Sequence, residues 1–255
     1  MTKMLYLALS LCFVLTGCKG KTSAESLPTE YNIHGTITVE SSSDMEWIRR
    51  YEQTDIAVLK ERAATEAKEC DVLFFGSSSI RRWTSLQEDM APLRVVNRGY
   101  GGATLRDLHY NYATVMDTYR PKAFVLYCDN DIKSSKGANN LHVGELFDHY
   151  RLLLDRLAKD YPGVPVYGLS MKFSERRATV RAQQQTFNAL MTDYSLHRPG
   201  FYFVDVNTPL LNDDGSVNES LFDKDRLHVN EKGYALWVEV LKPLLMQYLD
   251  NEPQR

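Results

Sequence analysis

The amino-acid sequence predicts an α/β fold in which helices cover both faces of a parallel sheet of five strands. Short apolar segments alternate with longer segments of helical periodicity five times along the chain, which is typical of a three-layer α/β/α sandwich. The segment 123–128 is apolar at every position, as expected of a strand that is covered on both sides. We therefore expect one layer of parallel strands between two layers of helices.

Turn-forming residues and helix start and stop signals divide the chain into its elements. The predicted strands cover residues 71–75, 93–97, 123–128, 164–169 and 201–206. The predicted helices cover residues 43–68, 104–119, 145–159, 175–196 and 231–249. Weak alternation of apolar residues over 31–39 also predicts a short edge strand.

Length and composition indicate one globular domain rather than two. The chain has 255 residues, of which 44% are hydrophobic and 25% are charged, as in ordinary soluble proteins. The formal net charge is −3, and the sequence has no stripe of basic residues. Since nucleic-acid binding depends on such basic surfaces, we expect no nucleic-acid partner.

The N-terminus has the pattern of a secretory signal peptide. Lys3 precedes an apolar run over residues 5–15, which is too short to span a bilayer comfortably. The following Leu15-Thr16-Gly17-Cys18 resembles a bacterial lipobox, and the resemblance implies cleavage before Cys18 and lipidation of its thiol. We therefore predict a signal peptide over 1–17, a lipidated cysteine and tether over 18–42, and the folded domain over 43–255. A plain signal peptide followed by an incidental cysteine is the alternative.

The expected location is a bacterial membrane surface. Acyl chains on Cys18 would anchor the protein to the membrane without spanning it. Lys19 follows the cysteine, and by analogy with lipoprotein sorting in Gram-negative bacteria it disfavours retention in the inner membrane. The sequence thus predicts an exported lipoprotein of the outer membrane, on its periplasmic or surface face.

Two of the four cysteines, Cys70 and Cys128, belong to the folded domain. They would lie at opposite ends of neighbouring parallel strands, roughly 17 Å apart at about 3.3 Å per residue. A disulfide requires Cα atoms within about 7 Å of each other. We therefore expect two free, buried thiols, and the sequence has no Cys/His spacing typical of a metal site.

A strand, a tight turn and the start of a helix meet at the segment 71–80. The apolar strand ends at Gly76, and three serines follow it. Ligands of open parallel sheets bind outside the carboxyl ends of the strands, where helix N-termini point their N–H groups outward. Ser78 is the candidate nucleophile at this turn, so the rest of the chain must supply a base, an orienting acid and oxyanion donors.

A candidate base and its orienting acid lie near the C-terminus, in Asp225-Arg226-Leu227-His228. An aspartate three residues before a histidine can turn its carboxylate onto the imidazole, which fixes the tautomer and stabilises the imidazolium. His228 would then accept the proton of Ser78. A surface loop in which Asp225 caps a helix would have the same pattern.

Three groups at predicted strand ends could stabilise an oxyanion. They are the backbone N–H of Ser78, a backbone N–H in the Gly101-Gly102 turn, and the side-chain amide of Asn130. Glycine allows a ligand to approach the backbone closely. The same glycine segment does not complete the G-x-G-x-x-G pattern of dinucleotide-binding proteins.

These segments together resemble the four sequence blocks of the SGNH, or GDSL-type, hydrolases. The blocks occur in order along residues 71–245 as Gly76-Ser77-Ser78, Asn97-Arg98-Gly99-Tyr100-Gly101-Gly102, Asn130-Asp131 and Asp225-x-x-His228. The resemblance implies a flavodoxin-like fold with strand order 2-1-3-4-5. It implies that Ser78 is nucleophile and oxyanion donor, Gly102 and Asn130 are the other oxyanion donors, His228 is the base and Asp225 its partner. No metal or organic cofactor is implied.

The chain departs from the family pattern at two positions. Ser77 stands where the aspartate of G-D-S is usual, and the spacing from Gly76 selects Ser78 among the three serines. The third block usually reads G-x-N-D, whereas here Cys128 and Asp129 precede Asn130. The α/β-hydrolase pattern G-x-S-x-G fits less well, because Ile80 replaces its second glycine.

The resemblance implies a serine esterase whose substrate is an acyl ester. Export favours acetylated carbohydrates as substrates, and a lysophospholipase or thioesterase is the enzymatic alternative. A non-catalytic glycan-binding lipoprotein with a degenerate fold is the alternative from another class. Lys172, Arg176 and Arg177 follow the fourth predicted strand, and we expect them to be solvated at a helix start, with contact to an anionic substrate as the alternative.

Overall fold

The computed structural model describes residues 46, 49–133 and 141–251. The predicted signal peptide, Cys12, Cys18, the tether and the edge strand over 31–39 lie outside the described residues. Within these residues, no helix combines the length and the apolar character needed to cross a bilayer.

Helices and parallel strands alternate along the described chain. Its elements are α1 (Asp55–Ala63), β1 (Glu69–Gly76), α2 (Ser78–Arg81), α3 (Leu86–Met90), β2 (Val95–Gly99), α4 (Leu105–Tyr110), α5 (Tyr112–Met116), β3 (Arg120–Tyr127), α6 (Val143–Asp160), β4 (Val166–Leu169), α7 (Arg181–His197), β5 (Phe201–Val204) and α8 (Glu231–Asn251). Short 3-10 helices cover Glu175–Val180, Thr208–Leu210 and Glu219–Leu221.

The five strands form one parallel sheet in the order β2-β1-β3-β4-β5, which confirms the predicted fold and strand order. In the register of the three strands on the β2 side, Gly76 lies opposite both Gly99 and Tyr127. Two hydrogen bonds continue beyond the strand ends, from Tyr100 N to the Gly76 carbonyl at 3.1 Å and from Ser77 N to the Tyr127 carbonyl at 2.8 Å. The segments that follow β1, β2 and β3 therefore meet at one edge.

Each face of the sheet packs against its own apolar layer, because successive strand side chains point to opposite faces. Val72 and Phe74 of β1 pack with residues of α2, α3 and α8, whereas Leu73 and Phe75 pack with residues of α1, α4, α5, α6 and α7. All four side chains are fully buried. The two layers explain the apolar character of the central strands.

The helix predicted over 43–68 is interrupted in the structure: residues 46 and 49 are helical, residues 50–54 form turns, and α1 covers Asp55–Ala63. Its C-terminal end is fixed by side chains that bond back to the chain. Lys68 Nζ donates to the Ala63 carbonyl at 2.6 Å, and Arg62 bonds Glu66 at 2.5 Å. Before the helix, residues 50–54 form turns, and Arg50 binds Asp107 with two bonds of 2.8 and 2.6 Å.

Two other predicted helices are each divided in the structure. The prediction over 104–119 becomes α4 and α5, with Asn111 between them at φ −92° and ψ 13°. The prediction over 175–196 becomes a 3-10 segment followed by α7, and Arg177 lies in the first part with a non-helical φ of −117°. The side chain of Arg177 is buried, and this break places it inside the protein rather than on a helix surface.

Cys70 and Cys128 are both free and buried. Cys70 lies near the start of β1, opposite Pro121, whereas Cys128 follows the last residue of β3. The two thiols therefore lie at opposite ends of neighbouring strands, as the sequence predicted.

Candidate active site

The turn after β1 exposes one of its three serines. Gly76 has a φ of +129°, and a Cβ at this position would lie 1.9 Å from the Tyr127 carbonyl oxygen, so only glycine fits here. Ser77 and Ser79 are 0% and 1% exposed, whereas Ser78 is half-buried at the start of α2. Solvent access thus distinguishes Ser78 from its neighbours, in agreement with the choice made by spacing.

The hydroxyl of Ser78 meets the imidazole of His228, 150 residues later in the chain. The distance between Ser78 Oγ and His228 Nε2 is 2.8 Å. His228 lies in the loop before α8, and the Asp223 N–H donates to the His228 carbonyl at 2.8 Å while Phe222 pairs with Val229. These backbone contacts fix the loop that carries His228 next to the serine turn.

Asp225 orients the imidazole from its other side. Its Oδ2 lies 2.6 Å from His228 Nδ1, and its Oδ1 accepts the backbone N–H groups of Leu227 and His228 at 2.9 Å each. Because the carboxylate only accepts, Nδ1 carries the proton and Nε2 is free to accept from Ser78. The structure thus brings the three predicted residues into one hydrogen-bonded series.

The pKa values of this pair favour a carboxylate and a neutral imidazole. Partial burial raises the pKa of Asp225, but hydrogen bonds from the His228 ring and from two backbone amides outweigh it and hold the pKa well below its usual range. Burial lowers the pKa of His228, and the nearby cations of Lys172 and Arg82 lower it further. The hydrogen bond to Asp225 acts in the opposite direction and raises this pKa. A neutral imidazole is the form that accepts a proton.

Arg82 is a site residue that the sequence analysis missed. One guanidinium nitrogen donates to Asp225 Oδ2 at 3.3 Å, and the other donates to Asp223 at 2.8 Å. The first nitrogen also lies 3.0 Å from His228 Nδ1; since Nδ1 carries the proton, this is a contact between two donors that share the Asp225 carboxylate, not a hydrogen bond. Arg82 follows Ser78 by four residues, and four residues make about one helical turn. That spacing was the available signal.

The glycine turn and Asn130 lie in direct contact. Asn130 Nδ2 donates to the Ala103 carbonyl at 2.9 Å, next to Gly102, which has a φ of +70°. The Gly101 N–H donates to Asp55 at 3.0 Å, so Gly102 is the better placed of the two glycines to bind a ligand. Both predicted donors therefore lie at the sheet edge that carries Ser78.

The expectation that Lys172 and Arg177 are solvated is wrong. They are 1% and 4% exposed and flank the buried Asp129, at 3.3 Å from Lys172 Nζ and 2.5 Å from an Arg177 nitrogen. An unpaired buried carboxylate would be very costly, so Asp129 requires cations beside it. The available signal in the sequence was Asp129 itself: an aspartate close behind a buried apolar strand predicts a buried carboxylate that needs a cationic partner. Arg176 is exposed, as predicted.

Cys128 and Asn130 of the unusual third block contact the same backbone carbonyl. The Cys128 thiol is buried and lies 3.2 Å from the Ala103 carbonyl, the same acceptor that Asn130 uses.

Among the described residues, no group of three or more His, Cys, Asp or Glu side chains is arranged to hold a metal ion.

The sequence matches the GDSL-like Lipase/Acylhydrolase family over residues 52–236. This match covers well over half of the chain and includes all four sequence blocks.

Individual relatives are distant but cover most of the domain. The chain is 24% identical to platelet-activating factor acetylhydrolase IB subunit alpha2 of Homo sapiens, over 73% of this chain and 81% of that protein. A GDSL-like lipase from Bacteroides thetaiotaomicron has a TM-score of 0.58 at 20% identity, covering 79% of this chain and 98% of that one. An acetyl-xylooligosaccharide esterase from Geobacillus has a TM-score of 0.57 at 14% identity, covering 69% and 94%. These two structures show a shared fold.

The serine turn, the strand order and the family match agree with one another. The chain belongs to the GDSL-like lipase/acylhydrolase family of SGNH hydrolases and is a hydrolase that acts on ester bonds.

Proposed function

We propose that the protein is a lipid-anchored serine esterase that removes O-acetyl groups from carbohydrate esters through an acyl-enzyme. The observation that carries the proposal is the 2.8 Å contact between Ser78 Oγ and His228 Nε2, in series with the 2.6 Å contact from His228 Nδ1 to Asp225. A serine that donates to a neutral, oriented imidazole is an activated nucleophile.

In the acylation step, His228 Nε2 takes the proton of Ser78 Oγ as this oxygen attacks the ester carbonyl carbon. The carbonyl electron pair moves onto its oxygen and gives a tetrahedral oxyanion. When the intermediate collapses, the bond to the alcohol oxygen breaks and His228 protonates the leaving alcohol. Asp225 stabilises the imidazolium present between these two proton transfers.

Three donors would bind the oxyanion. They are the backbone N–H groups of Ser78 and Gly102 and an N–H of the Asn130 side-chain amide. Fixed donors at the position where negative charge develops lower the barrier, because they do not reorient during the reaction. The contact between Asn130 and Ala103 supports this assignment, since it ties the amide to the glycine turn.

In the deacylation step, water replaces the alcohol. His228 takes one proton from water as the oxygen attacks the acyl carbonyl of Ser78. Collapse of the second tetrahedral intermediate releases the carboxylic acid and returns the proton to Ser78 Oγ.

Two lines of support favour an acetyl group on a carbohydrate. The curated relative is named an acetylhydrolase, and one structural relative is named an acetyl-xylooligosaccharide esterase. The predicted lipobox at Cys18 would place the domain outside the cytoplasm, where polysaccharides are accessible. Lipidated Cys18 would hold the enzyme at the outer-membrane surface.

Hydrolysis by the full chain in detergent tests the enzymatic proposal. The substrates are p-nitrophenyl acetate, butyrate and octanoate and an acetylated xylooligosaccharide. We expect the acetyl esters to react fastest, and Ser78→Ala to lower kcat by about 10⁴-fold or more. Ser195→Ala, on α7, is the matched control and should keep full activity.

Other results would assign other functions. A preference for octanoate would indicate a lipid hydrolase, the enzymatic alternative from the sequence. Undiminished turnover in Ser78→Ala would exclude Ser78 as nucleophile. Glycan binding that survives in Ser78→Ala, without turnover in either protein, would indicate the non-catalytic lipoprotein.

Metabolic labelling tests the anchor separately. Cells fed a radioactive fatty acid should label the wild-type chain and not Cys18→Ser. The labelled protein should fractionate with the outer membrane. Equal labelling of both chains would contradict lipidation at Cys18.

A further inference from the structure

Arg177 lies behind the candidate oxyanion donor Asn130 and contacts it directly. One guanidinium nitrogen donates to Asn130 Oδ1 at 2.6 Å. The other donates to the Asp129 carbonyl at 2.9 Å and lies 2.5 Å from the Asp129 carboxylate. Arg177, Asp129 and Asn130 are all buried. One side chain therefore holds two consecutive residues after β3 from the protein interior.

The two partners of the Asn130 side chain determine which of its atoms faces the substrate. Arginine has only donors, so the atom that meets Arg177 must be the oxygen. The Ala103 carbonyl is only an acceptor, so the atom 2.9 Å from it must be the nitrogen. Both contacts specify the same orientation of the amide. An amide nitrogen has two N–H groups, and one of them is engaged by Ala103.

We propose that Arg177 is a positioning residue that fixes the Asn130 amide with its nitrogen toward the ester carbonyl and polarises it. This inference rests on the proposed function, in which Asn130 is an oxyanion donor. A charge-assisted bond to Oδ1 draws electron density from the amide and strengthens donation by Nδ2. Arg177 acts through Asn130 and does not itself contact the substrate.

Asp129 anchors the guanidinium in this position. Its carboxylate also accepts from the Tyr127 hydroxyl at 2.8 Å and lies 3.3 Å from Lys172 Nζ. Lys172 in turn lies 3.1 Å from Ser79 Oγ, beside the nucleophile. The buried charges thus join the serine turn and the Asn130 segment in one network of hydrogen bonds and ion pairs.

The local fold around Arg177 supports a dedicated role. A regular helix from residue 175 would place its side chains around a helical surface, but Arg177 has φ −117° and ψ 21°, and α7 begins only at Arg181. The neighbouring Arg176 is exposed. The chain therefore breaks its helix at the point where one arginine reaches Asn130.

A double-mutant cycle tests the inference, with p-nitrophenyl acetate hydrolysis by the full chain as readout. The variants are Arg177→Gln, Asn130→Ala and their combination, with Arg176→Gln as the matched control. Loss of one oxyanion donor lowers kcat by about 10²- to 10³-fold. We expect Arg177→Gln to lower kcat by about 10-fold or more, as part of that effect, with KM little changed. Arg176→Gln should match the wild type.

The double variant, Arg177→Gln with Asn130→Ala, gives the decisive result. If Arg177 acts through Asn130, Arg177→Gln should cost little further kcat once Asn130 is alanine. Multiplicative losses in the double variant would overturn the inference and indicate a general structural role. Wild-type activity in Arg177→Gln would overturn it as well.

Two further measurements separate the possible failures. If Arg177→Gln does not fold by circular dichroism, Arg177→Lys takes its place in the cycle, since a lysine keeps a cation beside Asp129 but cannot bridge to Asn130. Ser78→Ala is run in parallel. Undiminished activity in Ser78→Ala refutes the proposed function, whereas an inactive Ser78→Ala with multiplicative losses in the cycle refutes only the role of Arg177.

Discussion

The guanidinium of Arg82 lies 3.0 Å from Nδ1 of His228, the same ring nitrogen that meets Asp225 at 2.6 Å. A cation at this position disfavours protonation of the imidazole, and the pKa of His228 is lowered first by burial and then by Lys172 and Arg82, against the Asp225 hydrogen bond. The base is therefore kept neutral at lower pH than an ordinary histidine.

Arg82→Gln should move the acid limb of kcat/KM to higher pH. Activity requires neutral His228 and is lost as the pH falls through its pKa. Removal of the cation raises that pKa, so the loss occurs at a higher pH. The measurement is kcat/KM for p-nitrophenyl acetate from pH 4 to 9. Lys224→Gln removes a charge from the loop that carries His228 and should leave the acid limb of kcat/KM at its wild-type pH. An acid limb that is unchanged in Arg82→Gln would contradict the prediction.

Asp225→Asn should lower kcat by about 10²- to 10⁴-fold with the fold intact. The asparagine oxygen can still accept the N–H groups of Leu227 and His228, but the amide no longer favours the tautomer that accepts from Ser78. Stopped-flow or steady-state rates at pH 8 give the comparison. Asp223→Asn removes a carboxylate that contacts Arg82 and should lose far less activity. Equal losses in the two variants would show that loop charge, rather than ring orientation, is what matters.

Gly102→Ala should reduce kcat by roughly 10-fold or more, because displacement of one oxyanion donor weakens transition-state binding. An added Cβ would lie 2.3 Å from the Tyr51 hydroxyl, and the φ of +70° disfavours alanine. In a Tyr51→Phe background, part of the activity should return, since the hydroxyl is gone. Gly144→Ala is the control, because its Cβ would meet no described atom within 4 Å. Full activity in Gly102→Ala would argue against this glycine as a donor.

Asp131→Asn should abolish a pH dependence of stability between about pH 4 and 6. Burial raises the pKa of Asp131 from 3.8 to about 6, although the Leu105 N–H opposes this change with a 2.8 Å bond. The folded state therefore keeps a proton that the unfolded state has lost, so the free energy of unfolding falls as the pH rises through this window.

Urea unfolding at pH 4 and pH 7 measures this effect. The stability of Asp131→Asn relative to the wild type should increase by about 2 kcal/mol between the two values, on the scale of 1.36 kcal/mol per pKa unit. Asp213→Asn, an exposed aspartate, should show no such change. If the free energy of unfolding changed equally with pH in the wild type and in Asp131→Asn, the raised pKa of Asp131 would be contradicted.

The sequence by itself determined the strand layout and the identity of the candidate triad. Buried parallel strands are continuous apolar runs, so 71–75 and 123–128 could be located without knowledge of their partners. The positions of Ser78 and His228 followed from a strand–turn–helix pattern and a short D-x-x-H spacing, both local features. The predicted strand order came from the family resemblance and is confirmed by the structure.

Only the tertiary structure decided how the buried charges are paired. Lys172 and Arg177 follow β4, and Asp129 follows β3, so no local pattern brings them together. The free energy of a buried guanidinium depends on a partner 48 residues away in the chain, and this contact outweighs the preference of 175–196 for one continuous helix. The orientation of Asn130 and the cation beside His228 are decided in the same way, by contacts between segments that are distant in sequence.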